Sequence, residues 1–554
     1  MILQTAAVIG NEVPLLLLQA IAELSEVDLH RCLAHLQAAE FLYETWLFPE
    51  REFTFKHALT HEVAYGSLLL ERRRVLHAHI VEALEALAGD RTAEQVERLA
   101  HHARRGEVWD KALRYGRQAG EKAVTRSANQ EAVTCFEQAL DAVSHLPEGP
   151  DTVRQGIDVR LALRDVLLPL GDYARILAHL RDAEKLAEAL DDPYRLGWVS
   201  AHLTHYFWSM RDLDRALEYG QHAVALAASF DDIELYAHAH FDLAEVHYSL
   251  GQYRQAIVAF EQLVARCTGD RLYKRMGPAV FSVVSRRWLV QALADTGGFA
   301  AGIARGEEGI RIAETADHPY SLANICSGVG YLYVCKGDFQ QAISFHARSL
   351  ELCRVWNLRQ NVTSFALHFG HALALSGQVS ESLALLEQSV ETAELTRVIG
   401  HYSLSACMLS EVYWRADRDE EAQALAVQAY ARAHETKEHG IRAWTARLLG
   451  EMHAHGDAPD VEQAEAHYQQ ALALAEELGM RPLQAHCYHS LGTLYRQTRQ
   501  SEQARAELST AIDMSRDMEM TFWLPETEAA LAEVESRLPS AAAMRCNMEM
   551  ECPS

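Results

Sequence analysis

His57 and His61 stand four residues apart, the spacing that sets two imidazoles on one face of a helix and can hold a metal ion. A zinc-hydrolase helix would follow His61-Glu62 with a second histidine at position 65, and position 65 is Tyr. Packing and a buried hydrogen bond therefore account for the pair better than a ligand set. The chain has 28 histidines, and His77/His79, His101/His102, His202/His205 and His238/His240 are further pairs that a helix-rich composition produces without purpose. Nothing in the sequence brings a Ser-His-Asp or Cys-His set together. No G-x-x-x-x-G-K-[ST] loop occurs, so the chain lacks the backbone donors and lysine that cradle nucleotide phosphates. The expectation is a non-enzyme: no catalytic residues, no metal site and no cofactor.

Charge narrows the partners. The chain of 554 residues has 51 Lys+Arg against 77 Asp+Glu, a formal charge of −26. An acidic surface repels phosphate backbones and anionic lipid headgroups. Arg72-Arg73-Arg74 is the one basic cluster near the N-terminus, and residues 1–90 hold 6 Lys+Arg against 13 Asp+Glu. A DNA reader wants a basic face, so nucleic acid is disfavoured. No run of 18 apolar residues and no basic-then-apolar N-terminus is present, so neither a membrane span nor a signal peptide is expected. Ten scattered cysteines without a CxxC pair suit reduced thiols in a cytoplasmic protein.

The elements that must position any site repeat along the chain. Gly251-Gln-Tyr253-Arg-Gln-Ala256, Gly337-Asp-Phe339-Gln-Gln-Ala342 and Gly377-Gln-Val379-Ser-Glu-Ser382 share a turn, an apolar residue and a small residue at fixed spacing. The turns fall at Gly171, Arg211, Gly251, Gly297, Gly337, Gly377, Asp417 and Arg499. Steps of 40 recur, with a further copy anchored by Ala464 after a lengthened loop, Gly456 to Pro459. Glycine at the turn permits a positive φ where the first helix, A, stops. The second helix, B, carries small residues at 216, 256, 342, 382, 422, 464 and 504. Seven positions on, 223, 349, 389, 429, 471 and 511 repeat them, with Leu263 as the exception. Two such columns on one face let B approach A closely. Helix A carries Leu491-Gly492-x-x-Tyr495, echoed by Gly330-x-x-Tyr333 and Leu449-Gly450.

This pattern resembles the tetratricopeptide repeat, lengthened from 34 to about 40 residues in the manner of the superhelical repeats of the maltose-regulator type. Removing about six turn residues leaves ~17 per helix. The fold class expected is all-α, a right-handed superhelical solenoid of tetratricopeptide-like helix pairs with a small N-terminal winged-helix domain. Arrays of this kind expose a concave groove lined by helix A. Helix-A positions three and six before the turn are then the candidates for partner binding: His205, Trp208, Glu245, Tyr248, Tyr331, His371, Glu411, Trp414 and Arg496. Aromatic and mixed polar groups suit a peptide, a protein or a small effector.

Residues 1–90 lack the repeat. Pro14 to Leu24 and Glu26 to Ala39 read as short helices. Phe41 to Leu47 and Glu52 to Phe55, parted by Pro49-Glu50-Arg51, read as a hairpin, and helices follow over His57–Leu70 and Arg72–Leu87. Gln4-Thr-Ala-Ala-Val-Ile-Gly10, Phe53-Thr-Phe-Lys-His57, Glu62-Val-Ala-Tyr65 and Arg73-Arg-Val-Leu-His77 resemble the winged-helix region of STAND-type signalling ATPases. Those most similar are the bacterial predicted ATPases often fused to class III adenylate/guanylate cyclases. Leu99-Ala-His-His-Ala103 and Lys111-Ala-x-x-Tyr115 resemble the helices that follow it in that family. The resemblance implies a winged helix over 1–90, a first helical repeat region over 91–150, a solenoid over 151–537 and a disordered tail over 538–554. It also implies the C-terminal part, or a stand-alone remnant, of a signal-transduction protein. The function expected is a sensor and scaffold. The alternatives are a fragment of an ATPase-linked cyclase whose catalytic domains lie elsewhere, and a DNA-binding regulator.

Overall fold

The computed structural model describes residues 1–46, 51–395, 402–456 and 459–537. The expected tail over 538–554 and the tip of the expected hairpin lie outside them. The chain divides into two compact units, Met1–Val199 and Ser200–Ser554.

The first unit opens with α1 (Ile2–Ile9), β1 (Glu12–Pro14), α2 (Leu15–Ile21), α3 (Glu26–Ala38), β2 (Leu42–Trp46), β3 (Arg51–Phe55), α4 (Ala58–Gly66) and α5 (Leu70–Ala88). Ser25 starts α3: its Oγ accepts from the Asp28 amide at 3.2 Å, and Glu26 and Asp28 place negative charge on the first turn. The three strands form an antiparallel sheet in the order β1-β3-β2, with Val13 opposite Phe53 and Leu42 opposite Phe55. These four residues are buried, as are Leu17, Leu18, Leu29 and Leu33 of the neighbouring helices. The expected hairpin strands form. Helix α1 and strand β1 were not expected, because eight and three residues carry too little periodicity to register. The helix expected over His57–Leu70 stops at Gly66, and Leu70 opens the next one. Helices α6 (Val96–Arg105), α7 (Trp109–Thr125), α8 (Asn129–Val143), α9 (Pro150–Leu167) and α10 (Tyr173–Ala189) follow, and α11 (Pro193–Ser209) crosses into the second unit.

The second unit is an array of helix pairs. It runs α12 (Leu213–Ala227), α13 (Ile233–Ser249), α14 (Tyr253–Arg266), α15 (Phe281–Thr296), α16 (Phe299–Thr315), α17 (Pro319–Lys336), α18 (Phe339–Val355), α19 (Arg359–Leu375) and α20 (Val379–Leu395). It continues with α21 (Tyr402–Arg415), α22 (Asp419–Glu435), α23 (His439–Ala454), α24 (Val461–Leu478), α25 (Arg481–Gln497), α26 (Ser501–Asp517) and α27 (Leu524–Arg537). A two-stranded ribbon, β4 (Arg275–Met276) and β5 (Ala279–Val280), fills the longer connection before α15. Helices of 17 residues predominate, the length read from the 40-residue step.

The turn column behaves as its chemistry requires. All eight turn residues take positive φ, from 58° at Arg211 and Asp417 to 93° at Gly377, and Gly456 does so at 95°. Both columns of small residues on helix B are buried, and Leu263 is buried with them. The close approach of A and B is matched in size. Gly330, Gly370, Gly450 and Gly492 of helix A face His346, Leu386, Tyr468 and Leu508 of helix B, and a Cβ at any of these glycines would overlap the facing side chain. Elsewhere the sizes invert: Leu243 and Thr204 close on Gly220 of helix B, and Val329 closes on Gly306. The packing is therefore a lock of one large and one small residue per repeat.

A second layer of contact closes the array on itself. Arg211 meets Glu438 at 3.3 Å, and both side chains are buried. Lys437 pairs with Asp214 at 2.6 Å. A Cβ at Gly440 would overlap the Tyr253 hydroxyl. Gly297 lies against Met518 and Pro482, and Gly337 against Phe522 and Trp523. Lys336 reaches Glu519 at 2.8 Å. These partners are 183 to 227 residues apart in sequence. The turns between A and B of early copies thus dock on the loops that precede helix A of late copies, about five repeats on.

Candidate functional site

The expected residues lie three or six positions before the turn of their helix A. Glu245 is buried there, and the other eight expected residues are half-buried. They fall into two groups and two outliers.

The first group surrounds the C-terminal end of α15. The Tyr248 hydroxyl donates to Asp295 Oδ2 at 2.8 Å, and the Tyr331 hydroxyl donates to Oδ1 at 2.7 Å. One carboxyl thus ties together three successive A helices, α13, α15 and α17. Asp295 is 3 % exposed. Burial pushes its pKa up to about 6, against the pull of the two hydroxyl donors. Trp208 donates its indole N–H to Ser249 Oγ at 2.8 Å, and the His205 ring centroid lies 5.6 Å from that of Trp208. Trp208 and Tyr248 both meet the edge or face of Trp288, with centroids 6.2 and 5.1 Å apart. The Arg287 guanidinium sits 4.1 Å over the Trp288 ring. Burial, with the like charge of Asp242, drives the Glu245 carboxyl well above its ordinary range, while Arg287 and Arg211 pull it down.

The second group lies four repeats on from His205. His371 Nε2 is 2.9 Å from Glu411 Oε2, and Arg415 donates to Glu411 Oε1 at 3.0 Å. Burial opposes the Glu411 charge, but Arg415, His371 and Arg447 together hold its pKa well below normal. Arg447 pairs with Glu451 at 3.0 Å, and Ser490 donates to the same carboxylate at 2.5 Å. Of the outliers, Trp414 stacks edge-on with His455, and Arg496 pairs with Glu533 of α27.

Sequence reasoning missed Arg287, Trp288, Asp295 and Arg447. They lie two, nine or ten residues before the turn, outside the two positions expected. A signal was present: 287, 327, 367, 407 and 447 form their own 40-residue series, with arginine at both ends. The histidine pairs resolve differently. His57 is exposed and His61 packs edge-on to Phe55 and alongside Tyr65, with centroids 5.0 and 6.4 Å away. The Tyr65 hydroxyl lies 3.2 Å from His77 Nε2, and His77 Nδ1 lies 2.8 Å from His102 Nδ1. Burial lowers these two histidines to about 4 and about 2. Among the described residues no group of three or more His, Cys, Asp or Glu is arranged to hold a metal, and no helix is long and apolar enough to cross a membrane.

Tetratricopeptide repeat family models match residues 237–267, 325–354 and 442–517. An uncharacterised protein of Rhizobium meliloti (strain 1021) is 22% identical over 507 residues, which are 89% of this chain and 48% of that protein. The chain spans about half the length of this curated relative. Among solved structures, the NprR regulator in complex with its cognate peptide NprX aligns at a TM-score of 0.47 and 14% identity, over 66% of this chain and 99% of that one. A Rap protein complexed with competence and sporulation factor aligns at 0.46 and 16%, over 66% and 98%. A STAND protein with a tetratricopeptide repeat sensor from Pyrococcus horikoshii aligns at 0.34 and 12%, over 97% and 64%.

Proposed function

We propose that this chain is a non-enzymatic sensor and scaffold whose tetratricopeptide array captures a peptide or a peptide-like segment of a protein on its helix-A side. The observation that carries this reading is the half-buried line of Trp208, Tyr248 and Tyr331, held in place by Trp288 and Asp295. Rigid aromatic side chains with one polar end give large contact area at little entropic cost. Residues 1–90 are read as a winged helix, supported by the order of their elements and by the sheet order β1-β3-β2. In this reading that segment relays occupancy of the array to the remainder of a larger signalling protein of STAND type, with 91–150 and 151–537 as the repeat regions and the cytoplasm as its compartment.

Selection of random peptides displayed on phage against the full chain tests the reading. Enriched peptides should lose at least tenfold in affinity on Trp208→Ala or Tyr331→Ala. Val427→Ala, at an exposed position of α22, should leave them unchanged. Failure to enrich any sequence, or binding indifferent to both helix-A substitutions, refutes it.

A further inference from the structure

Helices α13 and α14 flank a cavity that the helix-A site does not use. It measures about 360 Å³ and opens broadly to solvent. Leu243 of α13 and Val258 and Ala259 of α14 give it an apolar lining, and Val258 is 53 % exposed. His240 and His247 of α13 and Arg254 and Gln262 of α14 border it, and no Asp or Glu does. In a chain with 77 Asp+Glu against 51 Lys+Arg, that exclusion sets the groove apart. Leu243 and His247 stand two residues either side of Glu245, about 160° round α13, so the cavity and the helix-A site occupy opposite faces of one helix. Two rows of side chains run along the groove. On α14, Arg254, Val258, Gln262 and Arg266 follow at four-residue intervals and share one face. On α13, Tyr236, His240, Leu243 and His247 do the same at intervals of four and three. Arg266 bridges the rows at one end: its guanidinium sits 3.9 Å over the Tyr236 ring, which stacks on His240 with centroids 3.7 Å apart. His240 Nδ1 lies 2.9 Å from the Tyr236 carbonyl oxygen, which fixes that ring. Arg254 stands at the other end. Among the described residues neither arginine has an ion-pair partner.

A cavity open to this extent does not enclose a small molecule, but it seats the side chains of a segment laid across it. The two arginines are ~18 Å apart along α14 at 1.5 Å per residue, with the apolar lining between them. A segment laid along the groove therefore meets a positive end, an apolar middle and a second positive end. Its complement is an amphipathic helix of about three turns, apolar at the centre, with Asp or Glu near both ends. A nucleic acid would meet the same arginines, but it has no side chains for the apolar lining, and the acidic chain around the groove repels it. We infer that the α13–α14 groove is a second interaction surface, separate from the helix-A site, that receives an acid-ended amphipathic helix of a partner protein.

The test selects a phage-displayed single-helix scaffold, randomised along one face, against the full chain. Enriched helices should carry apolar residues at the centre of that face and Asp or Glu toward both ends. Val258→Asp should lower their affinity at least tenfold, and Val427→Asp, at the exposed valine of α22, should not change it. Arg254→Glu should also cost at least tenfold, and exchanging one end acid of the helix for Lys should restore most of that loss. Val258 and Arg254 are both exposed, so neither variant disturbs the core. Trp208→Ala should leave these helices bound. No enrichment, or binding indifferent to Val258→Asp, overturns the inference and leaves the peptide reading of the helix-A side standing. Binding that falls on Val258→Asp but ignores Arg254→Glu overturns the acid-ended partner. A concentration-dependent dimer of the chain alone, abolished by Val258→Asp, overturns it in favour of a second copy.

Discussion

Gly492 offers a direct test of the size lock between helices A and B. Gly492→Ala adds one methyl in the middle of α25. By intrinsic propensity alone this should stabilise the helix by about 1 kcal/mol, because glycine is the poorest ordinary helix former. The structure predicts the opposite sign. The added Cβ would lie 2.6 Å from Leu508 Cγ, 2.9 Å from Leu508 Cδ2 and 3.1 Å from the Leu508 backbone nitrogen. The first two distances can be relieved by a rotamer change; the third requires the two helices to part. Overpacking of this kind costs ~1–3 kcal/mol, so the net effect should be a loss of up to ~2 kcal/mol. Leu508→Ala alone empties a fully buried site and should cost ~2–5 kcal/mol. In the double variant the alanine methyl occupies part of the vacated space, so the losses should fall short of additive by at least ~1 kcal/mol. Native-state hydrogen exchange of α25 and α26 is the appropriate readout, since a repeat array opens locally and a single global transition would blur the effect. A Gly492→Ala variant as protected as the parent, or losses that add within ~0.5 kcal/mol, would show that the glycine column reflects composition rather than a lock.

Two further perturbations probe the closure of the array and the acid response of the first unit. Glu438→Gln should strip Arg211 of its charge partner while Ser403 and Thr436 keep their contacts to residue 438, and breaking so buried a pair costs ~3–5 kcal/mol; faster exchange should appear at the Arg211 turn and the α22–α23 loop together, and a change confined to one of them would mean that the two segments are not coupled. In the first unit, His77 and His102 are depressed from 6.5 to about 4 and about 2, so below pH 6.5 the unfolded chain binds protons that the folded unit refuses; its protection against exchange should fall as pH drops from 6.5 toward 4, and His102→Leu should flatten that fall, whereas an unchanged slope would mean that the pair does not govern it.

What the sequence made legible follows the range of the interaction. The turn column and both small columns are local to one helix pair, so each repeat states the same requirement and nine copies make it audible. Arginine and aspartate turns at 211, 417 and 499 could be placed only because their glycine counterparts fixed the register. The size lock was half visible. Leu-Gly was noticed on helix A, but its partner lies 16 to 18 residues on and changes from His to Leu to Tyr, so no fixed residue type marks it. The closure of the array was not legible at all. Its contacts join residues 183 to 227 apart through unlike pairs, an ion pair at the Arg211 turn, a Met against Gly297 and aromatic rings against Gly337. A periodic sequence advertises what every repeat shares; these contacts depend on the pitch of the whole coil, which no single repeat contains.

The same distinction explains why the candidate site was read only in part. Positions three and six before the turn were chosen because a straight array presents them together, and Tyr248 and Tyr331 from that set meet at Asp295. They could not give Asp295, which joins the two because α15 carries its carboxyl two residues before the turn instead. Nor could they give Arg287, where the physical signal is an absence: a cation that its surroundings do not satisfy. Glu245 sharpens the point. It faces Arg287 and Arg211 together, and its carboxyl is driven up by burial and by Asp242 rather than held down by a salt bridge. Position along the repeat shows neither case, because burial and the neighbouring charges are set by side chains of other helices.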